Sequence, residues 1–137
     1  MSTPLYPSSR HDRPHARLYG HHLNHAAWRY LSPSAFKLLS YLTAEYRPEK
    51  PNSFPVGTRR VSLMIHVSEP AAAKAVDELI KAGHLRLERR GTNIGRVATR
   101  ERVVSLTRYD SETAKGEPDL PKKLWGQRIS NAVETGI

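Results

Sequence analysis

The sequence predicts one α+β domain in which amphipathic helices are followed by two half-buried strands. Apolar residues recur at three- and four-residue steps in residues 33–46 and 69–82, the spacing of helices with one buried face. They alternate with polar residues in 85–88 and 102–107, which is typical of strands with one face in the core. Gly83 lies between the two patterns and is expected to end the second helix. A chain of 137 residues suffices for one such core.

The chain begins with a segment that is too polar to bury a core. Residues 1–16 carry three prolines among serines, arginines and histidines, so we expect a flexible basic arm. A short helix is predicted over about 21–30. Ser32 and Pro33 then start the helix at 33–46, because serine accepts a hydrogen bond from a free amide of the first turn and proline at the first helical position loses none.

The middle of the chain predicts a strand and two closely spaced helices. Residues 54–56 suit a short edge strand, because the proline among them has no amide hydrogen for a ladder. The helix at 59–65 has about two turns, and a turn at His66 follows. Ser68 is expected to cap the helix at 69–82.

The two predicted strands form a hairpin around a loop at 91–100. After residue 109 the chain becomes polar. The domain is therefore expected to span 17–109, with a polar linker and a C-terminal segment over 110–137. Apolar residues of that segment recur at four- and five-residue steps, and either form a terminal helix or strap on the domain or bind a partner. They are Leu120, Leu124, Trp125, Ile129 and Val133.

Four groups of residues follow one another at the spacings of a known family. They are Ala27-Trp28-Arg29-Tyr30-Leu31-Ser32-Pro33-Ser34-Ala35, Arg59 with Val61-Ser62, Val67-Ser68, and Lys74-Ala75-Val76-x-x-Leu79-x-x-x-Gly83. With the order of elements, they make residues 24–109 resemble bacterial winged helix-turn-helix proteins, especially small ones of proteobacteria and of their phages and plasmids. The resemblance implies a winged helix-turn-helix with a two-stranded β-hairpin wing, and the alternative is another small α+β domain.

The resemblance also implies how such a domain contacts DNA. The helix at 69–82 becomes a recognition helix in a major groove, braced by the helix at 59–66. When the apolar stripe of this helix is buried, Pro70, Ala71 and Lys74 face outward near the end that enters the groove. Lys74 either reaches a base edge or a phosphate, or is a solvated lysine.

The recognition helix has few side chains that read bases. Ser68 and the free amides of its helix offer a phosphate contact. Ala71 stands where relatives usually have a polar residue, and with Ala73 it offers only methyl contacts. Glu69 adds negative charge at the entry to the groove. His66 stands where the turn often has glycine, but histidine tolerates a left-handed conformation. We therefore expect this helix to make few direct contacts with base edges.

Positive charge is concentrated in the hairpin. Residues 83–109 contain seven arginines against two glutamates, and arginines on such a loop follow phosphates or enter a narrow minor groove. The alternative is a merely solvated basic hairpin. Arg59 and Arg60 are also expected to contact phosphates, unless either pairs with Glu69 or Glu78. The predicted DNA contacts are Arg59, Arg60, Ser68, Pro70, Ala71, Lys74, Arg89, Arg90, Thr92, Asn93, Arg96 and Arg100.

The composition favours a polyanionic partner. The net charge is +9 with neutral histidines. No apolar stretch approaches the roughly 18 residues of a membrane span, so no membrane partner is expected. Because there is no cysteine, disulfides, thiolate metal sites and cysteine nucleophiles are excluded. The N-terminus lacks the apolar core of a signal peptide, so we expect a cytoplasmic, nucleoid-associated protein.

Metal binding and catalysis find little support in the sequence. His21 and His25 have the spacing at which two imidazoles on one helix share a metal, but no acidic or cysteine ligand lies in that segment. There is no phosphate loop, no Gly-x-Ser-x-Gly and no His-Glu-x-x-His motif. We therefore expect no metal, no cofactor and no enzymatic activity.

The function predicted from these observations is binding of double-stranded DNA. The leading expectation is a transcriptional repressor that occupies its site as a homodimer, because two half-sites multiply specificity. One alternative is a plasmid or phage replication-origin binding protein. The other is a winged helix adaptor that binds protein, with the C-terminal segment as a contact for a protein partner.

Overall fold

A computed structural model describes residues 13–94 and 97–117, with the backbone alone for 92–94 and 97–100. Over these residues the chain is an α+β domain. Its helices are α1 (Gly20–Leu23), α2 (Ala26–Arg29), α3 (Pro33–Glu45), α4 (Thr58–Ile65) and α5 (Glu69–Lys81). Its strands are β1 (Phe54–Pro55), β2 (Leu85–Arg89), β3 (Thr92–Ile94), β4 (Val97–Arg100) and β5 (Val103–Leu106).

Three strands form an antiparallel sheet in the order β1-β5-β2. Leu85 is paired with Leu106, and Val104 is paired with Leu87 on one side and with Phe54 on the other. The prediction of a short edge strand at 54–56 is therefore confirmed for β1.

The chain between β2 and β5 continues as a second antiparallel pair, β3 with β4. We call residues 85–106 the hairpin, with β2 and β5 as its base and β3 and β4 as its tip. The prediction of a loop over 91–100 is wrong, because strand pairing extends into it. The β-branched residues Thr92, Ile94 and Val97 favour extended backbone, which outweighs the glycine signals there.

The hydrophobic core lies between α3, α4, α5 and the base of the hairpin. As predicted, α5 buries Ala72, Val76 and Leu79, and it also buries Ala75, whereas Ile80 is only half-buried. Removing these apolar surfaces from water supplies most of the stabilisation of the fold. The largest fully buried side chains are Leu38, Leu39, Leu42, Ile65, Leu79, Leu85, Leu106, Val56, Val61, Val76 and Val104.

The helix predicted over 21–30 is two short helices. α1 ends at Leu23, and His25 starts α2 because its Nδ1 accepts a hydrogen bond from the amide of Ala27 at 3.0 Å. α2 is joined to the hairpin by His84, whose buried Nε2 lies 2.7 Å from the carbonyl oxygen of Ala27. The N-terminal helices therefore pack where β2 begins.

Residues 110–117 cover the polar face of the base. The carboxylate of Glu88 accepts hydrogen bonds from the hydroxyls of Ser105 at 2.8 Å and Thr113 at 2.7 Å. Burial works to raise the pKa of Glu88, but these hydrogen bonds, with the nearby guanidinium of Arg86, lower it overall. Arg86 also donates to Ser111 at 2.8 Å. The segment expected to be a linker is thus attached to β2 through residues 111–115, and the amide of Glu117 donates to the carbonyl oxygen of Thr107 at 2.7 Å.

Candidate nucleic-acid interface

A tight, well-braced turn connects α4 to α5. α4 ends at His66, whose φ of 57° and ψ of 55° are left-handed, as the sequence predicted. The amide of Val67 donates to the carbonyl oxygen of Ser62 at 3.2 Å, and the Ser62 hydroxyl donates to the Val67 carbonyl oxygen at 2.5 Å. These two hydrogen bonds hold the angle at which α5 leaves α4.

The start of α5 is open to solvent. The hydroxyl of Ser68 caps the helix by accepting a hydrogen bond from the amide of Ala71 at 3.3 Å. Ser68, Glu69 and Pro70 are exposed, whereas Ala71 is half-buried and only partly faces outward as predicted. The positive end of the helix dipole is therefore accessible to an anion, with Glu69 as the one acidic side chain of the first turn.

The acidic residues in the middle of α5 are engaged with other elements. Asp77 forms an ion pair with Arg102 at 2.6 Å. Glu78 accepts hydrogen bonds from the amide of Ser32 at 2.7 Å and from its hydroxyl at 2.8 Å, which fixes the start of α3 to α5. Lys74, one turn before Glu78, is exposed and has no ion-pair partner within the described part of the chain.

Three of the seven arginines in residues 83–109 are bound within the fold. Arg86 lies on the polar face of the base, 3.7 Å from Glu88. Arg102 is paired with Asp77, and Arg108 lies over the ring of Trp28 with its guanidinium carbon 5.3 Å from the centroid. Burial lowers the pKa of Arg108. The hairpin thus presents less free charge than its composition indicates, and none of these three arginines is among the predicted DNA contacts.

The other hairpin arginines are at or beyond the end of the base. Arg89 and Arg90 are exposed, and Arg89 donates weakly to the carbonyl oxygen of Glu101 at 3.4 Å. Of the remaining predicted contacts, Thr92, Asn93 and Arg100 belong to the tip, where only the backbone is described. Arg96 lies outside the described residues.

The two arginines at the start of α4 differ in their surroundings. Arg59 is exposed and has no partner among residues 13–94 and 97–117. Arg60 binds the carboxylate of Glu101 with Nε 3.1 Å from both oxygens and Nη2 3.0 Å from one. The expected alternative partners, Glu69 and Glu78, are therefore wrong, because the start of α4 faces the hairpin rather than α5.

These contacts converge on residues 101–102, which we call the junction. Glu101 is bound to α4 and Arg102 to α5, while Arg89 of β2 reaches the Glu101 backbone. Exposed cations lie next to these bound residues in the sequence: Arg59 precedes Arg60, and Arg90 follows Arg89. Lys74 lies one helical turn before Asp77. The partners of Glu101 and Arg102 are 41 and 25 residues away in the chain, so no local pattern could reveal them. We call Arg59, Lys74, Arg89 and Arg90 the basic face.

The histidines do not form a metal cluster over the described residues. His21 is in α1 and His25 precedes α2, so the two imidazoles do not share one helix as the sequence predicted. Within 13–94 and 97–117 no group of three or more histidine, aspartate and glutamate side chains is placed to hold a metal ion.

Comparisons of the chain with protein-family models, with curated protein sequences and with solved structures find no match. Among the helices described, none combines the length and apolar character needed to cross a membrane.

Proposed function

We propose that the protein binds double-stranded DNA through the start of α5 and the basic face, and that it represses transcription by occupying its site. The observation that carries the proposal is the convergence of α4, α5 and the hairpin at the junction, beside an open start of α5 and with exposed cations next to the residues that are paired there. Cations and a helix N-terminus are the groups that contact phosphates.

The topology supports the proposal. A helix, a short strand, two helices joined by a tight turn and then a hairpin follow one another, and the sheet order is β1-β5-β2. This agrees with the winged helix arrangement that the motifs of the sequence resemble, in which the second helix of the turn enters the major groove. In that arrangement α5 is the recognition helix and the hairpin is the wing.

The charges of α5 also support the proposal. Of its two central acidic residues, Asp77 is ion-paired with Arg102, and the carboxylate of Glu78 is turned to the start of α3, where it accepts two hydrogen bonds from Ser32. Lys74 is the exposed cation of this part of α5 and is available to a phosphate. The first turn retains one carboxylate, Glu69, which is exposed and opposes an anion there.

The side chains of α5 suit recognition of DNA shape more than of base edges. Ala71 and Ala73 offer methyl groups, and Lys74 is the one long donor of the first two turns. Affinity then comes chiefly from phosphates, and discrimination comes from the groove geometry that fits helix and hairpin together. Two copies on two half-sites multiply this limited discrimination.

Fluorescence anisotropy with a labelled duplex, at several salt concentrations, tests the proposal. The triple variant Arg59→Ala, Lys74→Ala, Arg90→Ala removes three cations that have no partner in the described structure, so the fold is expected to persist. If each contacts one phosphate, the slope of log affinity against log salt becomes shallower by about 3.

The matched control is the triple variant Arg29→Ala, Lys50→Ala, Lys115→Ala. It removes the same net charge from exposed residues of other parts of the chain, so it separates a specific surface from general attraction. Equal slopes for the two variants, or no binding by the natural sequence at low salt, would contradict the proposal. Mapping the genomic sites that the protein occupies distinguishes a repressor, found at promoters, from an origin-binding protein.

A further inference from the structure

The tip of the hairpin is not part of the three-stranded sheet. β3 and β4 pair only with each other, while β2 and β5 pair at the base. One strand of the hairpin is interrupted at residues 90–91 and the other at residues 101–102. Because ladder hydrogen bonds are lost at both places, the base alone does not set the direction of the tip.

The side chains of the junction span from the hairpin to both helices. Arg60 binds Glu101 through two nitrogens, at 3.0 and 3.1 Å, and Arg102 binds Asp77 at 2.6 Å. A planar guanidinium that contacts both oxygens of a carboxylate restricts orientation as well as distance. The two adjacent residues between β4 and β5 are thus connected to α4 and to α5.

The backbone of the junction is held at the same place. The amide of Val56 donates to the carbonyl oxygen of Arg102 at 2.8 Å. Gly57, at the start of α4, leaves room for the Glu101 side chain, since a Cβ atom there would lie 2.7 Å from its carboxylate oxygen. By contrast, Arg90 and Gly91 at the other interruption are exposed, and neither contacts a helix through an ion pair within residues 13–94 and 97–117.

We infer that Glu101 and Arg102 are positioning residues that fix the direction of the hairpin tip relative to α5. The inference rests on the proposed function, in which tip and helix contact one DNA duplex together. If the tip has one fixed direction, the tip and α5 contact DNA at one fixed distance from each other. The junction then contributes to discrimination between DNA sites without contacting DNA itself. Asp77 and Arg60 are the partners through which it acts.

A distance measurement tests the inference without DNA. The chain has no cysteine, so Leu63→Cys on α4, where the leucine is 69% exposed, and Asn93→Cys on the tip can be spin-labelled uniquely. Double electron–electron resonance should give a narrow distance distribution for this labelled protein. Adding Arg60→Gln and Asp77→Asn should broaden or shift it, because both ion pairs are lost.

The matched control adds Arg29→Gln and Glu112→Gln, which remove one positive and one negative charge at exposed positions of other segments. This control should keep the narrow distribution. The same distribution in all three proteins would overturn the inference, and it would do so whether or not the protein binds DNA.

A charge exchange tests the functional consequence. The readout is the ratio of affinity for the preferred duplex to affinity for a scrambled one, with melting temperature measured beside it. Asp77→Arg and Arg102→Asp should each lower the ratio, by about threefold to fivefold, and the double exchange should restore it. A purely electrostatic role instead predicts tighter binding for Asp77→Arg, weaker binding for Arg102→Asp and no restored discrimination, which would overturn the inference.

Discussion

The hairpin is joined to the rest of the domain at two ends that differ in burial and charge. At the core end, Asn52 is buried and pairs with the backbone of Leu106, accepting from its amide and donating to its carbonyl oxygen, each at 2.8 Å. At the junction the bonds join charged side chains, and the partners Arg60 and Asp77 are 52% and 54% exposed.

The difference separates stability from orientation. A buried hydrogen bond between neutral groups is costly to leave unmade, because no water replaces the lost partner. An exposed ion pair contributes little to the free energy of unfolding, because water solvates both charges when they separate. The core end is therefore expected to keep the hairpin folded, whereas the junction sets where its tip points.

The largest effect is expected for Asn52→Ala. The substitution leaves the buried amide of Leu106 without a partner, which costs about 1–3 kcal/mol. It also removes the hydrogen bonds that Asn52 donates to the carbonyl oxygens of Leu106, Tyr109 and Asp110, each worth about 0.5–1.5 kcal/mol, although the Leu106 oxygen still accepts from the amide of Tyr109 at 3.2 Å. We expect the free energy of unfolding to fall by about 4 kcal/mol, measured by urea denaturation. The neighbouring Ser53→Ala is the control, since Ser53 is exposed and its change should stay within about 0.5 kcal/mol. Similar midpoints for the two variants would remove the distinction between the two ends.

The sequence predicted the helices of the domain better than the contacts between its elements. The helices at 33–46, 59–65 and 69–82 agree with α3, α4 and α5 to within one residue at each end. Their signals are local: apolar residues at helical steps, serine caps at Ser32 and Ser68, and a stop at Gly83, whose φ is 86°. Such signals act within one or two turns, so a single sequence displays them.

The contacts at both ends of the hairpin depend on residues that are distant in the chain. Asn52 and Leu106 are 54 residues apart, and Arg60 and Glu101 are 41 apart. Arginine composition likewise did not show which guanidinium groups are bound internally, because that depends on the sheet face and on the segment that covers it. The sequence therefore indicated the elements that carry the basic residues, but not which of those residues are paired within the fold.

The next largest effect is expected at the core end, where acid should lower the free energy of unfolding. Burial lowers the pKa of His84 to about 4 from its ordinary value of 6.5, with the nearby Arg108 and His22 acting in the same direction. The folded state therefore favours the neutral imidazole. Its contribution to stability is complete above pH 6.5 and is lost as the pH falls towards 4, by about 3 kcal/mol in total. Unfolding free energies measured between pH 7 and 4 check this.

The variant His84→Gln is the control for the acid effect. A glutamine amide can still donate to the carbonyl oxygen of Ala27, which His84 contacts at 2.7 Å, but it does not titrate. The variant should therefore show a flatter dependence of stability on pH over this range. An unchanged pH profile would mean that other groups cause the loss of stability in acid.

The smallest effect on stability is expected at the junction. Arg102→Gln removes the 2.6 Å ion pair with Asp77, yet it should lower the free energy of unfolding by less than about 1 kcal/mol, because the aspartate regains water. In 1 M NaCl, where the screening length is about 3 Å, the difference from the natural sequence should vanish. The loss caused by Asn52→Ala should persist in the same salt, because it involves neutral, buried groups. A large, salt-independent loss for Arg102→Gln would show that the junction holds the fold together, and the separation of stability from orientation would fail.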